Sequence, residues 1–111
     1  MISLSTHVLD TMHGRPASEM AVALSGPDGE IARGTTNGDG RCPDLLQSAL
    51  APGRYAIRFA VADYFRGLGI ALPDPPFLDQ VTVDFGVAAD GGHYHVPLLI
   101  SPYAYSTYRG S

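Results

Sequence analysis

Hydrophobic residues fall in short runs along this chain, and in most of them apolar and polar positions alternate. Alternation with a period of two sends successive side chains to opposite faces of a β-strand. The pattern predicts strands near 4–10, 20–25, 30–36, 54–61, 78–85, 93–100 and 103–108, with 44–46 as an optional short extra. Between them lie His13-Gly14-Arg15-Pro16, Gly26-Pro27-Asp28-Gly29, Asn37-Gly38-Asp39-Gly40 and Ala51-Pro52-Gly53-Arg54. Each supplies residues that tolerate positive φ or preset a turn. One stretch breaks the alternation: Val61-Ala62-Asp63-Tyr64-Phe65-Arg66-Gly67 predicts one or two helical turns ended by Gly67. The proline-rich segment Leu72-Pro73-Asp74-Pro75-Pro76 after it reads as a surface connection. Many short strands with regular turns predict a β-sandwich or barrel in one domain, residues 1–111.

Sorting side chains by face sharpens the picture. In the 93–100 strand, Val96, Leu98 and Ile100 form a core face, which leaves His95, Pro97 and Leu99 on the reverse. In the first strand Thr6 and Val8 face the core, with Ser5, His7 and Leu9 opposite. In the last strand Ser106 and Tyr108 point one way, Tyr105 and Thr107 the other. A reverse face that mixes Leu9, Pro97, Leu99 and Tyr108 with histidines predicts cover by another subunit. Pro97 inside a strand marks either an edge or a bulge. The C-terminus is unusual in staying apolar and aromatic through VPLLISPYAYSTYRGS (96–111), which predicts an ordered tail packed beside something.

Composition narrows the function. The formal charge is −4, and the seven cations form no basic run, so nucleic acid and anionic membrane are poor partners. The single cysteine, Cys42, excludes an internal disulfide and any multi-cysteine metal site. No stretch has the length of a transmembrane helix, and the N-terminal residues lack the pattern of a secretory signal. The expectation is a soluble cytoplasmic protein.

Four histidines are the candidate chemistry. His93 and His95 have a legitimate metal-ligand spacing, but no third ligand is marked, and His93 reads rather as a turn residue after Gly91-Gly92. Asp10 reads as a solvated carboxylate at a strand end and His13 as turn chemistry. Arg41, just past a glycine-rich turn, alone reads as an exposed charge. Together, His7, His95 and Arg41 make a different inventory. Imidazoles exchange protons near neutral pH, and a guanidinium holds an anion or a developing oxyanion. That set suits metal-free hydrolysis of a small, anionic carbonyl compound.

Three separated motifs carry a family resemblance: STHVLDT (5–11) with GRPA (14–17), TNGDGRC (36–42) and HYHVPLLISPYAYSTYRGS (93–111). With YAIRF (55–59) and DYF (63–65) between them in order, the chain resembles the 5-hydroxyisourate hydrolases, transthyretin-like enzymes of urate breakdown. The resemblance implies an all-β, immunoglobulin-like transthyretin-type sandwich of two four-stranded antiparallel sheets with one short helix. It implies a homotetramer, a dimer of dimers, with sites between the dimers. It assigns catalysis to His7, Arg41 and His95, and a substrate-binding wall to Ser106, Tyr108, Arg109, Gly110 and Ser111. It implies ring opening to 2-oxo-4-hydroxy-4-carboxy-5-ureidoimidazoline with no metal or organic cofactor. Met12-His13 departs from the family pattern in a turn, where it is expected to alter loop packing. Two other readings stand beside this one: a transthyretin-like carrier of a planar small molecule, and an immunoglobulin-like accessory module. The enzyme-type residues at His7, Arg41, His95 and Tyr108 and the YRGS ending argue against the carrier, and the motif-bearing C-terminus argues against the module.

Overall fold

A computed structural model describes residues 2–110. The chain forms β1 (Ser3–Asp10), β2 (Arg15–Pro16), β3 (Ala21–Gly26), β4 (Gly29–Thr35), β5 (Gly53–Phe59), α1 (Val61–Gly67), β6 (Val81–Val87), β7 (His93–Ile100) and β8 (Tyr105–Thr107). They build two four-stranded sheets, ordered β2-β1-β7-β8 and β4-β3-β5-β6. This is the expected sandwich with its one short helix. One pairing qualifies the expectation of antiparallel sheets: β1 and β7 run parallel, from Ser3 beside His93 to Asp10 beside Ile100. The other pairings are antiparallel.

Alternation governs what each strand buries. Leu4, Thr6, Val8 and Asp10 of β1 face inward, as do Tyr94, Val96, Leu98 and Ile100 of β7. They meet Val22, Leu24, Ile57, Phe59, Val81 and Val83 of the second sheet. The helix adds Val61, Tyr64 and Phe65 to the same core. Each large apolar side chain removed from water contributes about 1.5–3 kcal/mol, so the two patterned faces supply the main drive to close the sandwich.

Local chemistry explains where the elements differ from expectation. The region near 44–46 is a 3-10 turn (Pro43–Leu45), not a strand, because proline opens it and buried Leu45 anchors it. The predicted turn at 13–16 yields a two-residue strand, β2, laid on Leu9 and Asp10. Pro97 sits at neither an edge nor an assigned bulge, since β7 lies between β1 and β8. Its missing N–H falls opposite Tyr108, the point at which β8 leaves the ladder. Thr107 Oγ1 donates to the Pro97 carbonyl at 2.7 Å and keeps the tail close there.

Asp10 overturns its expected place in solvent: it is fully buried. It accepts from the Tyr64 hydroxyl at 2.7 Å and the His13 amide at 3.0 Å, and pairs with His13 Nδ1 at 2.6 Å. Burial raises its pKa, but these hydrogen bonds outweigh burial and hold it below the ordinary value. Burial and the bond to Asp10 in turn push the Tyr64 phenol up to about 12. His13 is therefore a clasp joining the β1–β2 turn to the helix through Asp10. Among the described residues no helix is long and apolar enough to cross a membrane.

Candidate active site

The outward face of the first sheet carries the candidate chemistry. The parallel register sets Ser5 beside His95 and His7 beside Pro97. On the far side of β1, an isolated bridge places Arg41 opposite His7. On the far side of β7, a second bridge places Gly110 opposite His95. Two rows therefore cross the sheet, Arg41–His7–Pro97 and Ser5–His95–Gly110. Partners in register share a face, so His7, His95 and Arg41 lie together on the side away from the core. Strand alternation alone put the histidines there; the turn brings the arginine.

That turn is built to do so. The Asn37 side-chain oxygen accepts from the amides of Asp39 (2.9 Å) and Arg41 (3.1 Å), and the Asn37 and Arg41 backbones pair at 2.8 Å. Gly40 has φ +77°, and a Cβ there would collide with the Val8 carbonyl and press His7 at 3.3 Å. The same Gly40 carbonyl accepts from Val8 N at 2.8 Å. Thr36, buried, ties the turn's root to Ala17 and Met20. Cys42 next to Arg41 is buried, which raises its thiol pKa and leaves it unsuited to attack as a thiolate.

The tail is fixed against His95. Gly110 N donates to the His95 carbonyl at 2.8 Å. A Cβ on Gly110 would lie 2.5 Å from His95 Cδ2, so only glycine allows this approach. Ser106 pairs with Leu99 and is exposed on the same outward face, as alternation requires for Tyr108, which is 62% exposed. Arg109 makes contacts within the chain that the sequence did not indicate. Its guanidinium bonds the carbonyls of Gly91 (2.7 Å) and His93 (3.1 Å) and stacks 4.0 Å above the Tyr94 ring. It is a clamp for the tail, on the side opposite Gly110. Ser111 lies outside the described residues.

The imidazoles have defined surroundings. Burial holds His95 below the ordinary imidazole pKa, and the charges of Arg41, His7 and His93 push the same way. His95 is therefore neutral at physiological pH and able to accept a proton. His93 is no turn residue: it opens β7 and bonds two serine hydroxyls, Ser3 through Nδ1 (2.6 Å) and Ser5 through Nε2 (3.0 Å). Ser5 also reaches His95 Nδ1 at 2.8 Å. Sequence reasoning put Ser5 on the right face but gave it no part; the alternating Ser3-x-Ser5-x-His7 was the available signal. No group of three or more metal-ligating side chains gathers among the described residues. The hollow bordered by Arg54, Tyr55, Asp84 and Phe85 lies on the other sheet, so depth within one subunit does not mark this site.

Two four-stranded sheets with a short helix, and a tail strand closing one outer face, define a transthyretin-type sandwich. The chain belongs to the HIUase/Transthyretin family, whose model matches residues 4–110. It is 54% identical over 114 residues to a 5-hydroxyisourate hydrolase of Ralstonia nicotianae, covering 97% of each chain. Its fold matches the structure of Klebsiella pneumoniae 5-hydroxyisourate hydrolase at TM-score 0.85 and 35% identity, over 98% of this chain and 99% of that one. Transthyretin from Sparus aurata matches at TM-score 0.83 and 31% identity, over 96% and 95%.

Proposed function

We propose that this protein hydrolyses 5-hydroxyisourate, opening its six-membered ring to give 2-oxo-4-hydroxy-4-carboxy-5-ureidoimidazoline. The observation that carries the reading is the convergence of His7, Arg41 and His95 on one sheet face, with Gly110 of the tail registered on His95. The relatives named 5-hydroxyisourate hydrolase, at up to 54% identity over nearly the whole chain, support it.

In this mechanism the histidine pair orients a water molecule and removes its proton as the water oxygen attacks a ring carbonyl. Arg41 faces the substrate's negative charge and the oxyanion that forms, where a fixed cation costs no reorganisation. Collapse of the tetrahedral intermediate breaks the ring C–N bond, and the protonated imidazole returns its proton to the departing nitrogen. In the same reading Ser106, Tyr108, Arg109 and Gly110 line the substrate pocket, with Arg109 also holding the tail in place. A serine nucleophile is the weaker reading, because no Asp–His–Ser constellation is evident in the sequence. No cofactor enters the scheme.

The outward face mixes His7 and His95 with Leu9, Pro97 and Leu99, the composition of a surface that another copy covers. It supports assembly with further copies, in this proposal a homotetramer, a dimer of dimers, with each pocket completed between dimers. The likeness to Sparus aurata transthyretin keeps one competitor in view, a carrier using the same face without catalysis. One assay separates the two. Fresh 5-hydroxyisourate, generated with urate oxidase, is followed by its ultraviolet decay with and without the protein. Faster decay is expected; decay at the spontaneous rate would leave the carrier.

A further inference from the structure

Ser5 stands between two imidazoles. Its hydroxyl lies 3.0 Å from Nε2 of His93 and 2.8 Å from Nδ1 of His95, while Ser3 takes Nδ1 of His93 at 2.6 Å. A hydroxyl has one proton to donate and lone pairs with which to accept. Holding two ring nitrogens at once, Ser5 can donate to only one of them, so at least one of the rings must turn an N–H toward it. The tautomers of His93 and His95 are thereby coupled. If His95 carries its proton on Nδ1, Ser5 donates to His93 Nε2, and His93 Nδ1–H donates to Ser3. In the reverse polarity every proton moves one place, and His95 carries its proton on Nε2.

The ring's orientation gives the choice a consequence. Nδ1 of His95 meets Ser5 on β1, and Cδ2 faces Gly110 on the tail, the atom a Cβ there would strike. These two atoms flank Cγ, so the far end of the ring, with Nε2, points away from the sheet into the open face. Electrostatics chooses the polarity. The titratable and charged groups acting on His95 are His7 from β1, Arg41 from the turn and His93 from its own strand, and Arg41 leads among them. A fixed cation favours a lone pair at Nε2 over an N–H dipole aimed outward.

We propose that Ser5 is a positioning residue whose hydroxyl, wedged between His93 and His95, fixes the His95 tautomer that presents an unprotonated Nε2 to substrate. The inference rests on the hydrolase reading and deepens it, because it makes His95 the general base. It also gives His93 and Ser3 a task, to set the direction in which Ser5 donates. Orienting partners of this kind act through the ring they hold; where such a partner fixes a ligating histidine, its loss costs roughly 10–100-fold.

The test combines nitrogen NMR of the intact protein, labelled at histidine with ¹⁵N, with steady-state kinetics. Wild type is expected to show His95 protonated at Nδ1 and bare at Nε2. Ser5→Ala is expected to move His95 toward the Nε2–H form, lower kcat by roughly 10–100-fold with KM little changed, and shift the acid limb of the rate profile. Ser5→Thr keeps the hydroxyl and is expected to restore both the tautomer and the rate. An unchanged His95 tautomer in Ser5→Ala, or full kcat in that variant, overturns the proposal. Wild type that fails to accelerate decay of the substrate refutes the hydrolase reading instead, while the spectra still decide the role of Ser5.

Discussion

At His95, burial, the Arg41 charge, His7 and His93 all oppose protonation. A histidine whose folded pKa is depressed stays mostly neutral at its ordinary 6.5 and takes up its proton below it. The acid limb of kcat/KM should therefore lie below 6.5, and a pH series on the free enzyme reads it directly; a limb at or above that value would remove His95 as the base. Linkage has the same sign. Between the two pKa values the unfolded chain binds the proton and the folded chain does not, so this group subtracts stability as the pH drops below 6.5. Asp10 works lower on the scale. Its depressed pKa adds stability above the ordinary 3.8 that is lost as the pH falls through the folded value.

Among the elements, the tail strand is the one with a separable job. Arg109 grips the Gly91 and His93 carbonyls and the Tyr94 face, and Gly110 then meets His95 with no room for a side chain. Arg109→Ala should speed hydrogen exchange at the Gly110 amide and lower the rate, while the amides of β1 and β7 keep their protection. Equal exchange at Gly110 in both proteins would mean the clamp holds nothing. Every strand but β2, and the helix, were legible because their apolar spacing is strong and their turns are marked by glycine and proline. The faces of β1 and β7 followed from alternation, and with them the shared side of His7 and His95. The parallel pairing of β1 with β7 was not legible, because alternation fixes faces and says nothing of strand direction. Nor was the burial of Asp10, which depends on Tyr64, 54 residues away. The contacts of Arg109 were not legible either. Its neighbours in sequence lie on the outward face, but a single step along a strand reverses the side chain.

At the scale of the whole molecule, one subunit presents its histidines on an open, half-apolar sheet face, and the account needs a second copy to close it. Light scattering after gel filtration should give four times the 11.7 kDa chain mass; a monomer with full activity would show that each pocket is complete within one chain. The central claim is that the imidazole–guanidinium face catalyses hydrolysis, and His95→Ala tests it most directly. Wild type and variant are compared on freshly generated 5-hydroxyisourate at equal concentration, with matching circular dichroism and assembly state. The account predicts a fall in rate of roughly 10²–10⁴-fold, the range for loss of a general base. A variant that folds, assembles and turns over at the wild-type rate would contradict it.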